Sequence, residues 1–151
     1  MLRIDHSVQV RAPAAVVWDV VTDLDRYPEW NPFVVACRSS LVIGAPIDMR
    51  VRLVGRFAQP QREEILVHEA GRRLCYGLRR AMFGALASER CHVVESLGPA
   101  LAHYESRFQL RGALSPVVRA LLGRNLARGF AAMTDALVAR AEEISRSRSG
   151  L

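Results

Sequence analysis

The spacing of apolar positions along the 151 residues changes period three times. In Leu2 to Val10, LRIDHSVQV, Leu2, Ile4, Val8 and Val10 fall on one face with only His6 between them, and period-two alternation of this kind predicts a strand. Arg11-Ala12-Pro13 ends it, because a proline restricts its predecessor and suits a first helical turn. From Pro13 to about Leu24 the period lengthens, and Val16, Val17, Val20, Val21 and Leu24 make one helical face that Trp18 widens. Pro28 and Pro32 then remove backbone donors within Asp25 to Pro32, so a broken helix or turn is expected there.

Between Phe33 and Arg111 the short period returns. PIDMRVRLVG sets Ile47, Met49, Val51 and Leu53 against Asp48, Arg50 and Arg52, which predicts one buried and one wet face. RRLCYGLR sets Leu74, Tyr76 and Leu78 inside with Arg73, Cys75, Gly77 and Arg79 outside, and HYESRFQLRG does the same with Tyr104, Ser106, Phe108 and Leu110 inside. Arg62 to Glu69 and Glu89 to Ser96 read as strands of looser register. In the second, Cys91 and Val93 make the better inward face, with Glu89 and Glu95 beside them and His92 outward. Turn residues at Gly44-Ala45-Pro46, Glu69-Ala70-Gly71 and Leu97-Gly98-Pro99 give hairpin spacing and hence an antiparallel sheet. From Ser115-Pro116, with Ser as the expected cap, Val118, Leu122, Leu126, Phe130, Met133, Leu137, Ala141 and Ile144 step by three or four along a long helix. A stripe that long needs an apolar partner of equal size, and only the inner face of the sheet supplies one. The class that follows is α+β: a curved antiparallel sheet around a C-terminal helix, with two short helices after the first strand. Residues 1–146 form the single domain this length predicts, and 147–151 read as a disordered tail.

Charge changes this picture little. The formal net charge is +6 with no lysine present, yet the arginines run from Arg3 to Arg148 without a sequence cluster or interleaved aromatics, which argues against nucleic-acid binding. Cys37, Cys75 and Cys91 are far apart with no ligand spacing, and suit a reducing compartment better than a disulfide framework. Without a signal-like apolar core or a stretch of ~20 apolar residues, no transmembrane segment is expected and the location reads as cytoplasmic.

No GxSxG, HExxH, GxGxxG or phosphate-binding loop occurs, and His6, His68, His92 and His103 lack metal-ligand pairing, so neither a metal nor a cofactor is expected. The inward face is overwhelmingly apolar: Ile65 and Val67 join the residues above. Only His6, Glu63, Glu89, Glu95, Ser106 and the hydroxyls of Tyr76 and Tyr104 offer polar atoms. A one-residue slip of the strand holding Glu63 would present Arg62 and Glu64 instead. Gly123 and Gly129 in the long helix allow either a kink or close packing on the sheet.

The stretch APAAVVWDVVTDLDRYPEWNPF resembles the N-terminal signature of the START-like SRPBCC superfamily, in its polyketide cyclase/dehydrase and lipid-transport branch. The match falls on Pro13, Val17, Trp18, Asp23, Tyr27, Pro28, Trp30, Asn31 and Pro32. Weaker likeness extends through RRLCYGL and FQLRGALSPVVRALLG. The resemblance implies the helix-grip fold and an internal cavity for an apolar ligand. The residues expected to line it are Trp30, Met49, Val51, Leu53, Ile65, Leu74, Tyr76, Leu78, Tyr104, Ser106, Phe108, Leu122, Leu126, Phe130 and Met133. The function expected is binding of a hydrophobic small molecule such as a lipid, isoprenoid or polyketide in ~300–1,000 Å³. The alternative is an enzyme of aromatase/cyclase type promoting aldol cyclisation and dehydration. A third reading is a protein-interaction module that uses the outer arginines Arg50, Arg52, Arg73 and Arg79 over a filled core.

Overall fold

In the computed structural model, which describes residues 1–81 and 83–150, seven strands form one antiparallel sheet. They are β1 (Leu2–Val10), β2 (Val34–Ser39), β3 (Pro46–Val54), β4 (Phe57–Glu69), β5 (Arg73–Gly77), β6 (Ala87–Gly98) and β7 (Leu101–Arg111), in the spatial order β1-β7-β6-β5-β4-β3-β2. Helix α1 (Ala14–Thr22), a 3₁₀ turn at Leu24–Arg26 and the single turn α2 (Tyr27–Trp30) lie between β1 and β2, and α3 (Ser115–Ser149) crosses the sheet. The α+β helix-grip architecture is therefore present. β2, at the sheet edge, is the one strand the apolar pattern does not announce.

Period-3.6 spacing orients α3 as expected: Phe130, Met133, Leu137 and Ala141 are buried, while Val118, Leu122 and Leu126 are half-buried nearer its start. Ser115 does not cap it. Leu114 occupies that position with no side-chain cap bond, and Ser115 is itself buried. The helix runs on through Ser149, three residues into the segment expected to be disordered. Gly129 resolves the choice between kink and close packing, because a Cβ there would overlap the Phe33 ring.

The Tyr-Pro-Glu-Trp-Asn-Pro segment is a corner held by its own side chains. Tyr27 donates its hydroxyl to the Val21 carbonyl at 2.6 Å, and buried Asn31 Oδ1 accepts from the amides of Phe33 and Val34 at 3.0 and 2.9 Å. Donors that Pro28 and Pro32 cannot supply are thus not missed, because the turn is satisfied by side chains. Trp30 packs edge-on against Tyr27 at 5.1 Å between centroids, and Trp18 stacks on His68 at 6.0 Å.

Two expectations about the sheet fail. In β6 the inward residues are Ser88, Arg90, His92 and Val94, while Glu89, Cys91, Val93 and Glu95 belong to the other face. Sequence alternation favoured Cys91 and Val93 because they are apolar, but Cys91 has a different partner: it pairs across the ladder with Cys75, and the two form a disulfide. The reduced state expected for these cysteines is thereby corrected. Cys75, placed outward as expected, is buried rather than wet, and Cys37 remains a free, buried thiol. In β4 a bulge between Ile65 and Val67 turns Val67 to the outer face opposite Cys75 and brings His68 inward opposite Leu74.

Candidate functional site

Register places two rows of inward side chains across the middle of the sheet. One reads Ile4, Phe108, Arg90, Tyr76, Ile65 over β1, β7, β6, β5 and β4; the next reads His6, Ser106, His92, Leu74, His68. Against the first of these rows, where Phe108, Arg90 and Tyr76 reach it, and bounded by β3, β4 and the first turns of α3, lies a cavity of about 230 Å³. Its walls are mostly apolar, from Met49, Val51, Leu53, Leu78, Phe108, Leu122, Leu126 and Phe130, with Phe33, Val34, Leu86, Leu110 and Val118 besides. One wall is polar, made by Gln61, Glu63, Tyr76, Ser88 and Arg90. A larger cleft of about 450 Å³ lies between α1, α2 and the end of α3. Its rim carries the ion pairs of Arg26 with Asp23 and Glu29, and of Arg140 with Glu29. It resembles ordinary solvated surface rather than an apolar site.

Nine of the fifteen expected lining residues, Met49, Val51, Leu53, Tyr76, Leu78, Phe108, Leu122, Leu126 and Phe130, do line the cavity. Trp30 lines the outer cleft instead, because α2 turns it away from the sheet. Ile65 and Leu74 are fully buried without reaching the cavity, and Tyr104, Ser106 and Met133 form the layer behind Arg90 and His92. The interior is not filled, and the cavity falls below the ~300–1,000 Å³ of drug-sized ligand sites. It suits a compact molecule, or one end of a longer molecule whose remainder leaves through the mouth.

Arg90 is the residue sequence reading missed. Only 3% exposed, it donates through Nη1 to Ser106 Oγ, sets Nη2 3.6 Å from Met133 Sδ, and lays its guanidinium 4.4 Å from the Phe130 ring centroid. Among the described residues it makes no ion pair. An arginine cannot shed its proton to relieve burial, so this charge stays on the cavity wall with only neutral partners. Glu63 faces it across the wall. Burial pushes the Glu63 carboxyl up to about 7, against the downward pull of a hydrogen bond from Gln61 Nε2 at 3.0 Å and of the Arg90 charge.

Behind this wall, His92 is fully buried between two tyrosines, with Nε2 3.1 Å from the Tyr76 hydroxyl and Nδ1 2.6 Å from that of Tyr104. Burial and the nearby Arg90 charge hold its pKa well below the usual histidine range, so the ring is neutral. A neutral imidazole has one donor and one acceptor nitrogen, so one tyrosine donates to it and the other accepts. Tyr76 reaches the cavity, so a hydrogen-bonded chain runs from the cavity wall through His92 to Tyr104.

The sequence contained one signal for Arg90 and His92. Cys75 already read as outward, and had Cys91 been paired with it across neighbouring strands, β6 would have turned over. His6, His68 and His103 play smaller parts: His68 Nδ1 lies 2.8 Å from the Leu41 carbonyl, His103 Nε2 lies 2.9 Å from Ser7 Oγ on the outer face, and buried His6 Nδ1 has no partner among the described residues. Cys75, Glu89 and Cys91 place possible metal-ligand atoms within 4.8 Å, but the disulfide occupies both sulfurs. No helix among the described residues is long and apolar enough to cross a membrane.

This arrangement of sheet, gripping helix and enclosed cavity is the START-like fold. It is shared with a START superfamily protein from Mycobacterium smegmatis (TM-score 0.70, 20% identity, covering 94% of this chain and 98% of that one). It is shared also with the Zhui aromatase/cyclase from Streptomyces sp. R1128 (0.71, 18%, 93% of each) and with norcoclaurine synthase from Thalictrum flavum (0.68, 16%, 94% and 87%). The chain belongs to the polyketide cyclase/dehydrase and lipid transport family, whose model matches residues 1–142. No curated protein matches it in sequence.

Proposed function

We propose that the protein binds a hydrophobic small molecule bearing an oxygen acceptor, such as a ketone, enolate or carboxylate, with that oxygen on Arg90 and the apolar body along Phe108, Phe130, Leu122 and Leu126. The observation that carries the reading is a buried guanidinium that makes no ion pair among the described residues, on the wall of a mostly apolar cavity. A ligand oxygen would offset the cost of that burial, which is how a few placed polar groups orient a ligand in an apolar site. Calorimetry with 1-naphthoate and 1-naphthol tests it. Naphthoate should bind saturably and more tightly than naphthol, Arg90→Met should weaken naphthoate by roughly ten- to hundredfold, and Phe130→Trp should abolish both by filling the space. Absence of saturable binding, or equal binding by Arg90→Met, would sink the reading.

One observation favours a catalytic extension. Glu63, with its pKa raised to about 7, stands beside Arg90 and the Tyr76–His92 pair, so a base, an oxyanion partner and a proton donor share one wall. Such a set can remove a proton α to a carbonyl, hold the enolate oxygen and return a proton during dehydration, as an aldol cyclisation requires. The aromatase/cyclase and the norcoclaurine synthase that share this fold support this class of chemistry by fold alone.

A further inference from the structure

Three segments of chain build the mouth of the cavity: the β3–β4 hairpin, the β5–β6 connection and the start of α3. Asn125 Nδ2 donates to the Leu53 carbonyl at 2.8 Å, joining helix to hairpin, and the Leu114 amide donates to the Ala85 carbonyl at 3.0 Å, joining helix to connection. Residues 49–62, 70–88 and 106–134, which contain these segments, hold no aspartate or glutamate at all. Arg52, Arg56, Arg80, Arg119, Arg124 and Arg128 are exposed there, and none makes an ion pair among the described residues. Arginines that look scattered in sequence are thus gathered by the fold. Many carboxylates lie toward the opposite end: Glu69 ends β4, Glu95 is late in β6, Asp19 is on α1, and Glu142 holds the Arg11 amide beside α3.

The same three segments expose large apolar side chains. Phe57 and Val54 stand on the hairpin, Phe83 is fully exposed on the connection, and Val117 and Leu121 are one turn apart on α3. Val42, Ile43 and Leu97 are exposed beside turns at the other end, but only here do exposed apolar side chains, both phenylalanines among them, stand interleaved with arginines that make no ion pair among the described residues.

We infer that this end of the molecule docks on an anionic phospholipid surface, with the three apolar tips entering the interface and the arginines on the headgroups. A protein partner fits less well, because a protein interface needs a packed apolar centre. Here the centre is the opening of the cavity. A fluid bilayer adapts to separated tips, attracts basic residues near its surface and surrounds apolar side chains in the headgroup region. The inference extends the ligand-binding reading, since docking would open the cavity directly onto a lipid phase.

Flotation with vesicles of phosphatidylcholine, alone or mixed with phosphatidylglycerol, tests the inference on the full chain. Binding should require phosphatidylglycerol and weaken at high salt. It should fall about fivefold for each of Arg56→Gln, Arg119→Gln and Arg124→Gln, from the ~1 kcal/mol a surface-near basic residue contributes. Phe57→Ser and Phe83→Ser, at positions too exposed to hold the fold, should each reduce it further. The Phe130→Trp variant should still float, which separates docking from cavity occupancy: loss of naphthoate binding with retained flotation leaves docking standing alone. Failure to float with anionic vesicles overturns the inference, as does flotation unchanged by the phenylalanine substitutions. Equally tight binding to polyglutamate or duplex DNA also overturns it, since that would be simple cation attraction to any polyanion.

Discussion

Glu63 and Arg90 differ in how they respond to burial. The arginine keeps its charge at any ordinary pH, whereas the carboxylate gains a proton, and its pKa rises from the usual 4.5 to about 7. A carboxyl raised on folding makes the native state bind the extra proton, so its contribution is fully present below about pH 4.5 and declines as pH rises through 7. The accompanying change is at most about 3 kcal/mol. Glu63→Gln should therefore remove this decline, shifting the urea midpoint upward relative to wild type at pH 8 and little at pH 4. A variant less stable at pH 8 would mean that the ionised carboxylate is stabilised by Arg90 more than burial penalises it. His92 has the opposite sign, with its contribution present above about pH 6.5 and lost as pH falls. At this scale the sequence was least legible. The inward placement of Glu63 and the Tyr76 and Tyr104 hydroxyls followed from alternation, but nothing local distinguishes Arg90 and His92 from the solvated arginines and histidines of the outer face.

The elements read more clearly, because periodicity is a property of several residues at once. β1, β3, β7 and α3 each show their buried face in four or more positions, β5 shows it with Leu74, Tyr76 and the adjoining Leu78, and all appear where the spacing puts them. β6 failed because its two faces are similarly apolar, and Val67 failed because a bulge resets the alternation without any mark in the sequence. β5 is the shortest strand, five residues paired over four positions with β6, and the Cys75–Cys91 disulfide fastens that pairing from the outer face. The sequence separation is 16, and closing a loop near that length stabilises by roughly 3 kcal/mol in the chain-entropy account. Reduction, or Cys75→Ser with Cys91→Ser, should lower the urea midpoint accordingly and speed amide exchange at Leu74 and Tyr76. Unchanged exchange would show that the ladder and the packed side chains above it hold β5 unaided.

Over the whole molecule, the β2 to β7 meander joins strands that are neighbours in sequence, but β1 pairs with β7, setting Leu2 opposite Leu110 and Val10 opposite Ala102. The two halves of this pair lie about a hundred residues apart, so their association carries a loop-closure cost that the rest of the sheet avoids. Deleting residues 1–10 should leave the meander able to form but expose β7 as an unpaired edge beneath α3. The expected product is a self-associating species with reduced stability, seen by light scattering and thermal unfolding. A monomeric, equally stable deletion product would show that α3 protects the edge by itself. In synthesis from the N-terminus, β1 leaves the ribosome about a hundred residues ahead of β7, the strand it pairs with. At synthesis rates of about 5–20 residues per second, it waits for roughly 5–20 seconds as an unpaired apolar strand. During that interval β1 is open to capture by a chaperone or by another copy, and the speed of translation through β7 sets how long the exposure lasts.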